Sequence, residues 1–245
     1  MSELAGKVAL VTGGARNIGR AIARALAAGG ASVTVNARSQ SDELAQTVQL
    51  IEDAGGHAMA AVADVTDAPS VRRMVDAAVE RFGRLDVVVN NAAVRIEQPF
   101  DTIAFEDWRR IVSIVLDGAF LCSQAALPHL RRAGGGSIVN IGGLTGHTGA
   151  TARAHVVTAK AGLAGFTKAL ALDLAPDAIT VNCVVPGHIA TERAAGHPGH
   201  RRDLPPLGRQ GLPEEVAAIV RMLCGPDARY ITGQSLHVNG GSFLA

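Results

Sequence analysis

The chain is poor in aromatic side chains, with one Trp, one Tyr and six Phe in 245 residues. Its core must therefore be built from Ala, Val, Leu and Ile, and with 48% hydrophobic residues there is ample material for one. An excess of charge of either sign is also missing. Lys and Arg total 23 against 22 Asp and Glu, with no basic block, which argues against nucleic acid or an anionic membrane surface as partner. Cysteine is scarce: Cys122, Cys183 and Cys224 are odd in number and form no CxxC pair. A disulfide framework is not expected, and a reducing cytoplasm fits best. No signal-peptide pattern precedes the first strand-like run, and no apolar run reads as long enough to span a membrane. A metal site is not expected either, because His188, His197 and His200 are irregularly spaced and lack supporting carboxylates.

What is present is alternation. Short Val-rich runs at 7–12, 32–36, 57–62, 85–90, 137–141, 179–184 and 235–238 read as strands buried on both faces. Between them, helical spacing of apolar residues covers 18–28, 41–54, 67–82, 105–132, about 152–174 and 213–224. Strands separated by helices of this length predict an α/β fold, a Rossmann-type doubly wound parallel sheet of about seven strands with helices on both faces. No linker or repeat divides residues 1–245, so a single domain is expected. The least regular stretch, 188–210, reads as a mobile substrate lid.

Thr12-Gly13-Gly14-Ala15-Arg16-Asn17-Ile18-Gly19 follows the first strand and opens the first helix. Glycine at such a turn lets the backbone approach a pyrophosphate, whose charge then sits at a helix N-terminus. Further along come Asp64-Val65, Asn90-Asn91-Ala92-Ala93, Lys160, the run Asn182-Cys183-Val184-Val185-Pro186-Gly187 with Ile189 and Thr191, and an ending from Tyr230 to Gly241. In this order and spacing the chain resembles the short-chain dehydrogenase/reductase family over essentially its whole length, and within it the 3-oxoacyl-carrier-protein reductases. Asn17 and Ala93 stand where the family has glycine. The resemblance implies that Gly13, Asn17, Ile18 and Gly19 cradle the pyrophosphate. It also implies that Asp64 and Val65 hold the adenine, and that Asn90 and Ala92 line the adenosine side. Lys160 would bind the nicotinamide ribose, and Pro186, Gly187, Ile189 and Thr191 the carboxamide. A homotetramer acting on a small-molecule substrate, with the helices of Asp117 and Lys160 at its interfaces, is implied as well.

The choice of nicotinamide cofactor rests on charge. A site for NAD places an acid at the end of the second strand, where this chain has Ala37 followed by Arg38 and Ser39. Arg16 lies in the glycine turn facing the same corner. Two guanidiniums without a carboxylate suit the 2′-phosphate of NADP(H).

The chemical half is less ordinary. In the resembled family a Ser, a Tyr and a Lys do the work, with an Asn on the preceding long helix. Counting from Lys160, the tyrosine position holds Val156, the serine position Gly143 and the asparagine position Val115. Three polar groups are absent, and the single tyrosine, Tyr230, lies elsewhere. His155 and His147 are the candidate substitutes for the proton donor, since imidazole titrates near neutrality. His188 lies beside the nicotinamide segment. Arg153 has the charge to stabilise an enolate or bind a carboxylate, and Thr145 carries a hydroxyl two residues beyond Gly143. Arg193, Arg201 and Arg202 read as lid solubility. Two readings follow. One is an NADP(H)-dependent oxidoreductase with a non-standard proton donor, acting on a carbonyl or alcohol, an imine or an activated alkene. The other is a catalytically silent NADP(H)-binding sensor or partner subunit. Non-redox lyase or dehalogenase chemistry fits less well, because the nucleotide motif is retained.

Overall fold

The computed structural model describes residues 2–191 and 204–244. Among them the strands are β1 (Val8–Val11), β2 (Ser32–Ala37), β3 (His57–Val62), β4 (Val87–Asn90), β5 (Gly136–Ile141), β6 (Ile179–Pro186) and β7 (Ser235–Val238). The helices are α1 (Asn17–Ala28), α2 (Asp42–Glu52), α3 (Ala68–Phe82), α4 (Phe105–Val112), α5 (Gly118–Arg132), the one-turn α6 (Thr145–Thr148), α7 (Ala154–Leu174) and α8 (Pro213–Cys224). The strands form one seven-stranded parallel sheet in the order β3-β2-β1-β4-β5-β6-β7. This is the fold that the alternation predicts. β1, β4, β5 and β6 are buried along their whole length, which is why they read as unbroken apolar runs.

Successive strand residues feed opposite faces. Ala9 and Val11 join α1, α2 and α8 through Ile22, Leu26, Leu44, Val216 and Val220. Val8 and Leu10 join α3, α5 and α7 through Val71, Val75, Ala126, Leu130 and Leu174. Helix starts follow local chemistry: Ser41 Oγ accepts from Leu44 N at the head of α2, and Asp67 accepts from Ser70 N at the head of α3. The sheet order reverses at β1, so the crevice for a ligand opens at the carboxyl ends of β1 and β4.

Two expectations change. The helix expected over 105–132 is interrupted by a π-helical turn, Ser113–Asp117, centred on Val115. That helix, Phe105–Arg132, is also long and apolar enough by composition to cross a membrane, contrary to the sequence reading. Cys122, Ala126 and Leu130 on it are fully buried in the cluster under the sheet, so its apolar character serves the core. Of the stretch 188–210 only the ends are described, where Ile189 bridges Gly211. Arg193, His197, His200, Arg201 and Arg202 lie outside the described residues.

At the amino-terminal ends of β1 and β4, Asp86 is buried and accepts from Lys7 Nζ at 2.9 Å, Val8 N at 3.0 Å, and Arg84 Nε and Nη2 at 2.8 and 2.6 Å. Burial pushes its pKa up, but the hydrogen bonds from Arg84, Lys7 and Val8 outweigh it and hold the carboxyl below its ordinary range. Because the folded value is depressed, this stabilisation is present above the ordinary carboxylate pKa and is lost as pH falls through the folded value. Asp86→Ala should cost about 2–3 kcal/mol, since hydrogen bonds to a charged group contribute about 1.5–3 kcal/mol and Lys7 and Arg84 can turn to water. Urea denaturation at pH 7 reads this, and a change below about 0.5 kcal/mol would contradict it.

Candidate active site

The glycine turn is a cradle closed by its own neighbours. Gly13 has φ +60°, and Asn17 has φ +51°, a left-handed conformation that asparagine tolerates. A Cβ on Gly19 would lie 2.2 Å from Gly13 O and 2.6 Å from Asn91 Nδ2, so no side chain fits. Thr12 Oγ1 accepts from Asn91 N at 2.9 Å and Ala92 N at 3.1 Å, while Asn91 Nδ2 donates to Thr12 O and Gly13 O, both at 2.9 Å. Asn36, wholly buried, donates to Ala61 O and Ala63 O, and its Oδ1 accepts from Gly13 N at 3.4 Å. Arg20 donates to Ala15 O from both Nε and Nη2. Sequence reasoning passed over Thr12, Arg20, Asn36 and Asn91. The Asn-Asn pair was the visible signal, but which asparagine faces the turn depends on the fold. Ile18 packs partly buried into the core, leaving its backbone to the cradle.

The adenosine corner gathers around the end of β2. Arg16, Arg38 and Ser39 are exposed, with Ala37 half-buried beside them. Asp64 accepts from Thr66 N at 2.9 Å and Thr66 Oγ1 at 2.7 Å. These bonds, with the Arg38 charge, hold its carboxyl below the ordinary range. Arg38 is therefore electrostatically within reach of Asp64. Val65 is buried, and its side chain lies against Gly118, so it belongs to the core. Asn90 differs from expectation in the same way. Its Nδ2 donates to Ser123 Oγ at 3.1 Å and Asn140 Oδ1 at 2.8 Å, and Asn140 passes on to Thr167 Oγ1. Asn90 is a buried tie between strands, and only its main chain is left for an adenosine.

The chemical corner lies where β5 and β6 end. Leu144 N bonds Pro186 O at 3.0 Å, and Gly187 N bonds Val238 O at 2.9 Å, which brings the two strand ends and β7 together. A Cβ on Gly187 would lie 2.6 Å from Asn239 Cα. Ile189 packs partly buried at the core edge, and Thr191 is half-buried. Lys160 reaches back from α7 to Ile141 O at 2.6 Å. Burial lowers its pKa from the ordinary lysine value to about 8, with Cys183 acting weakly in the other direction. Val156 is one helical turn before Lys160 on the same face and is buried. Val115 packs in an apolar cluster with Ala119, Ala159 and Leu163. A Cβ on Gly143 would meet only the Lys160 side chain, at 3.7 Å from Cγ, so that position stays open.

The proposed substitutes are placed variously. His155 is 0% exposed; its Nδ1 accepts from Val156 N at 3.0 Å, and its Nε2 is enclosed without a partner. Burial lowers its pKa, opposed by Asp107 and assisted by Arg110, both on α4. A ring sealed in this way offers no atom to a substrate, which corrects its candidacy. Arg153 is also buried and is ion-paired with Glu97, so its charge is already answered. His147 lies edge-on to His237, with ring centroids 4.7 Å apart, and both stack near Phe243. Thr145 opens α6 half-buried, and His188 sits half-buried after β6.

The chain matches a family model described as enoyl-(acyl carrier protein) reductase over residues 13–242. It is 41% identical to an uncharacterised oxidoreductase of Methylorubrum extorquens, covering 98% of this chain and 99% of the relative. It is 40% identical to the 3-oxoacyl-[acyl-carrier-protein] reductase of a Synechocystis species, with both chains wholly covered. Among solved structures it superposes on a double mutant of a Serratia marcescens short-chain dehydrogenase/reductase with TM-score 0.91 and 38% identity, covering 97% of this chain and 98% of that one.

Two outcomes follow from this geometry. Gly19→Ala should abolish dinucleotide binding in a calorimetric titration with NADPH, and unchanged affinity would rule out the cradle. The second concerns pH. The pKa values of His155 and His237 are lowered on folding, chiefly by burial. Their stabilisation is complete above the ordinary histidine value of 6.5 and is lost as pH falls from there through the folded values. Stability should therefore drop below that pH, and the drop should flatten in His155→Gln; an unaltered slope would contradict it.

Proposed function

The chain belongs to the short-chain dehydrogenase/reductase family of oxidoreductases, and from that premise we propose that it transfers a hydride between NADP(H) and a small carbonyl/alcohol pair. An imine or an activated alkene is the neighbouring chemistry. The observation that carries this reading is the pairing of two features at one crevice: a glycine turn in which Gly19 admits no Cβ, and a Lys160 amine held at the end of β5. The turn fits a pyrophosphate through its backbone and the head of α1. Gly13, Asn17 and Gly19 would hold the pyrophosphate, with Arg16, Arg38 and Ser39 on the 2′-phosphate and Lys160 on the nicotinamide ribose. Asp64 and the backbone of Val65, Asn90 and Ala92 would flank the adenosine, and Pro186, Gly187, Ile189 and Thr191 the carboxamide. When bound, NADPH supplies the hydride. The chain's own residues orient the acceptor and provide the proton, and that proton source is not the phenol used in the family.

The relatives named 3-oxoacyl-[acyl-carrier-protein] reductase make 3-oxoacyl thioesters the first substrates to try. Exposed Phe105, Phe120 and Leu172 on α4, α5 and α7 support a homotetramer buried along those helices, and the three free cysteines suit a cytoplasmic location. A second reading draws on Val115, Gly143 and Val156, which leave no hydroxyl or amide at the three family positions. On that reading the chain binds NADP(H) without turnover.

NADPH oxidation measured against aldehydes, ketones and the soluble thioester acetoacetyl-N-acetylcysteamine separates the two. Turnover supports the oxidoreductase. Tight NADPH binding without turnover, with activity appearing in the Gly143→Ser/Val156→Tyr double variant, supports the silent protein instead. Cofactor choice has its own test. Arg38→Leu should weaken NADPH binding about 10–100-fold and leave NADH unchanged, as expected for losing about 1.5–3 kcal/mol of charged hydrogen bonding. An equal loss for both cofactors would contradict the assignment.

A further inference from the structure

This inference rests on the oxidoreductase reading and concerns the proton that accompanies the hydride. We propose that the Lys160 ammonium itself delivers that proton to the substrate oxygen, taking the place of the absent phenol.

The geometry narrows the choice among the polar side chains on α6 and on the α7 segment that carries Lys160. Lys160 stands at the end of β5 with its Nζ 2.6 Å from Ile141 O. The space above Gly143 is open and walled by the Lys160 stem, with Cγ at 3.7 Å and Cδ at 4.0 Å from the position a Cβ would take. One turn earlier, Val156 has no proton to give. His155 is sealed from any substrate, its Nδ1 already engaged by Val156 N. Arg153 is committed to Glu97 and is too basic to release a proton. His147 is turned to His237 and Phe243, with the α6 backbone at Gly146 packed on the Lys160 turn. Thr145 has a hydroxyl that can orient a carbonyl but does not ionise near neutrality.

Electrostatics supports the same residue. The part-buried amine, its pKa brought down to about 8 by desolvation, keeps its proton at neutral pH and yields it more readily than an ordinary lysine does. The titratable group nearest it in its electrostatic surroundings is Cys183 on β6. Burial raises that thiol's pKa, so it stays neutral and does not compete as an acid. The step balances simply. NADPH, when bound, would supply the hydride to the carbonyl carbon; the electron pair of the C=O bond would move to oxygen, and the Lys160 N–H bond would break to protonate that oxygen. The products are the alcohol, NADP⁺ and a neutral Lys160 amine that regains its proton from water.

Two measurements on the intact chain test this. The first needs no substrate: pH-dependent acetylation of Lys160 by acetic anhydride, read by mass spectrometry. A labelling midpoint near 8 is expected, and one near the ordinary lysine value of 10.5 would overturn the proposal. The second is single-turnover oxidation of NADPH by the best substrate of the panel above, acetoacetyl-N-acetylcysteamine included. Lys160→Arg keeps a cation for the ribose but cannot give up a proton. It should slow hydride transfer at least about 100-fold while NADPH affinity is largely kept. A variant that retains more than about a tenth of the rate overturns the Lys160 assignment and leaves the oxidoreductase reading intact, because positioning alone would survive arginine. Tight NADPH binding with no turnover of any substrate overturns both.

Discussion

The hydrogen bonds between Thr12 and Asn91 tie the ends of β1 and β4 together where the sheet order reverses, and every candidate site element is placed relative to that seam. A parallel sheet splits there because the chain leaves β1 in one direction and returns to the other side of it. The split leaves a crevice lined by backbone. The seam keeps the crevice narrow, and the narrowness imposes glycine at 13 and 19. Asn36 and Arg20 brace the same turn from β2 and α1, so the cradle is rigid before any ligand arrives. Preformed donors of this kind bind an anion without the cost of ordering a loop.

The far side of the crevice follows different rules. The segments around Lys160 carry small or apolar residues at Val115, Gly143 and Val156. Val115 is absorbed into packing with Ala159 and Leu163, and Gly143 leaves room above Lys160. Polar groups remain nearby but face away from it. Arg153 is spent on Glu97, and His155 on the first turn of its own helix. An isolated buried amine is costly to charge, and this cost is what brings Lys160 toward neutrality when no phenol shares its proton.

Much of this was legible before folding was considered. The Val runs at 85–90 and 179–184 marked central strands because only strands covered on both faces can be so uniformly apolar. The helix ranges opening at 41 and 67 agree with α2 and α3, where Ser41 and Asp67 cap free N–H groups. The glycine turn follows β1 and opens α1, and Lys160 lies on α7 beside the end of β5. Less legible was the fate of long polar side chains. His155 and Arg153 lie within seven residues of Lys160 in sequence, yet burial seals His155 and the distant Glu97 claims Arg153. The π-helical turn at Ser113–Asp117 was likewise hidden, since one extra residue in a helical turn leaves no compositional trace.

The sequence by itself determined the strand and helix order, the parallel sheet and the glycine turn after β1, because each depends on local periodicity or on a residue type at a fixed spacing. Only the tertiary structure decided which of the two asparagines, Asn90 or Asn91, braces the turn, and that the Lys160 stem lies beside Gly143. The ammonium of Lys160 is turned to Ile141 O while its stem lies beside Gly143, and such outcomes depend on contacts between segments many residues apart. No local pattern encodes whether a side chain will find a buried partner or be left alone with its charge.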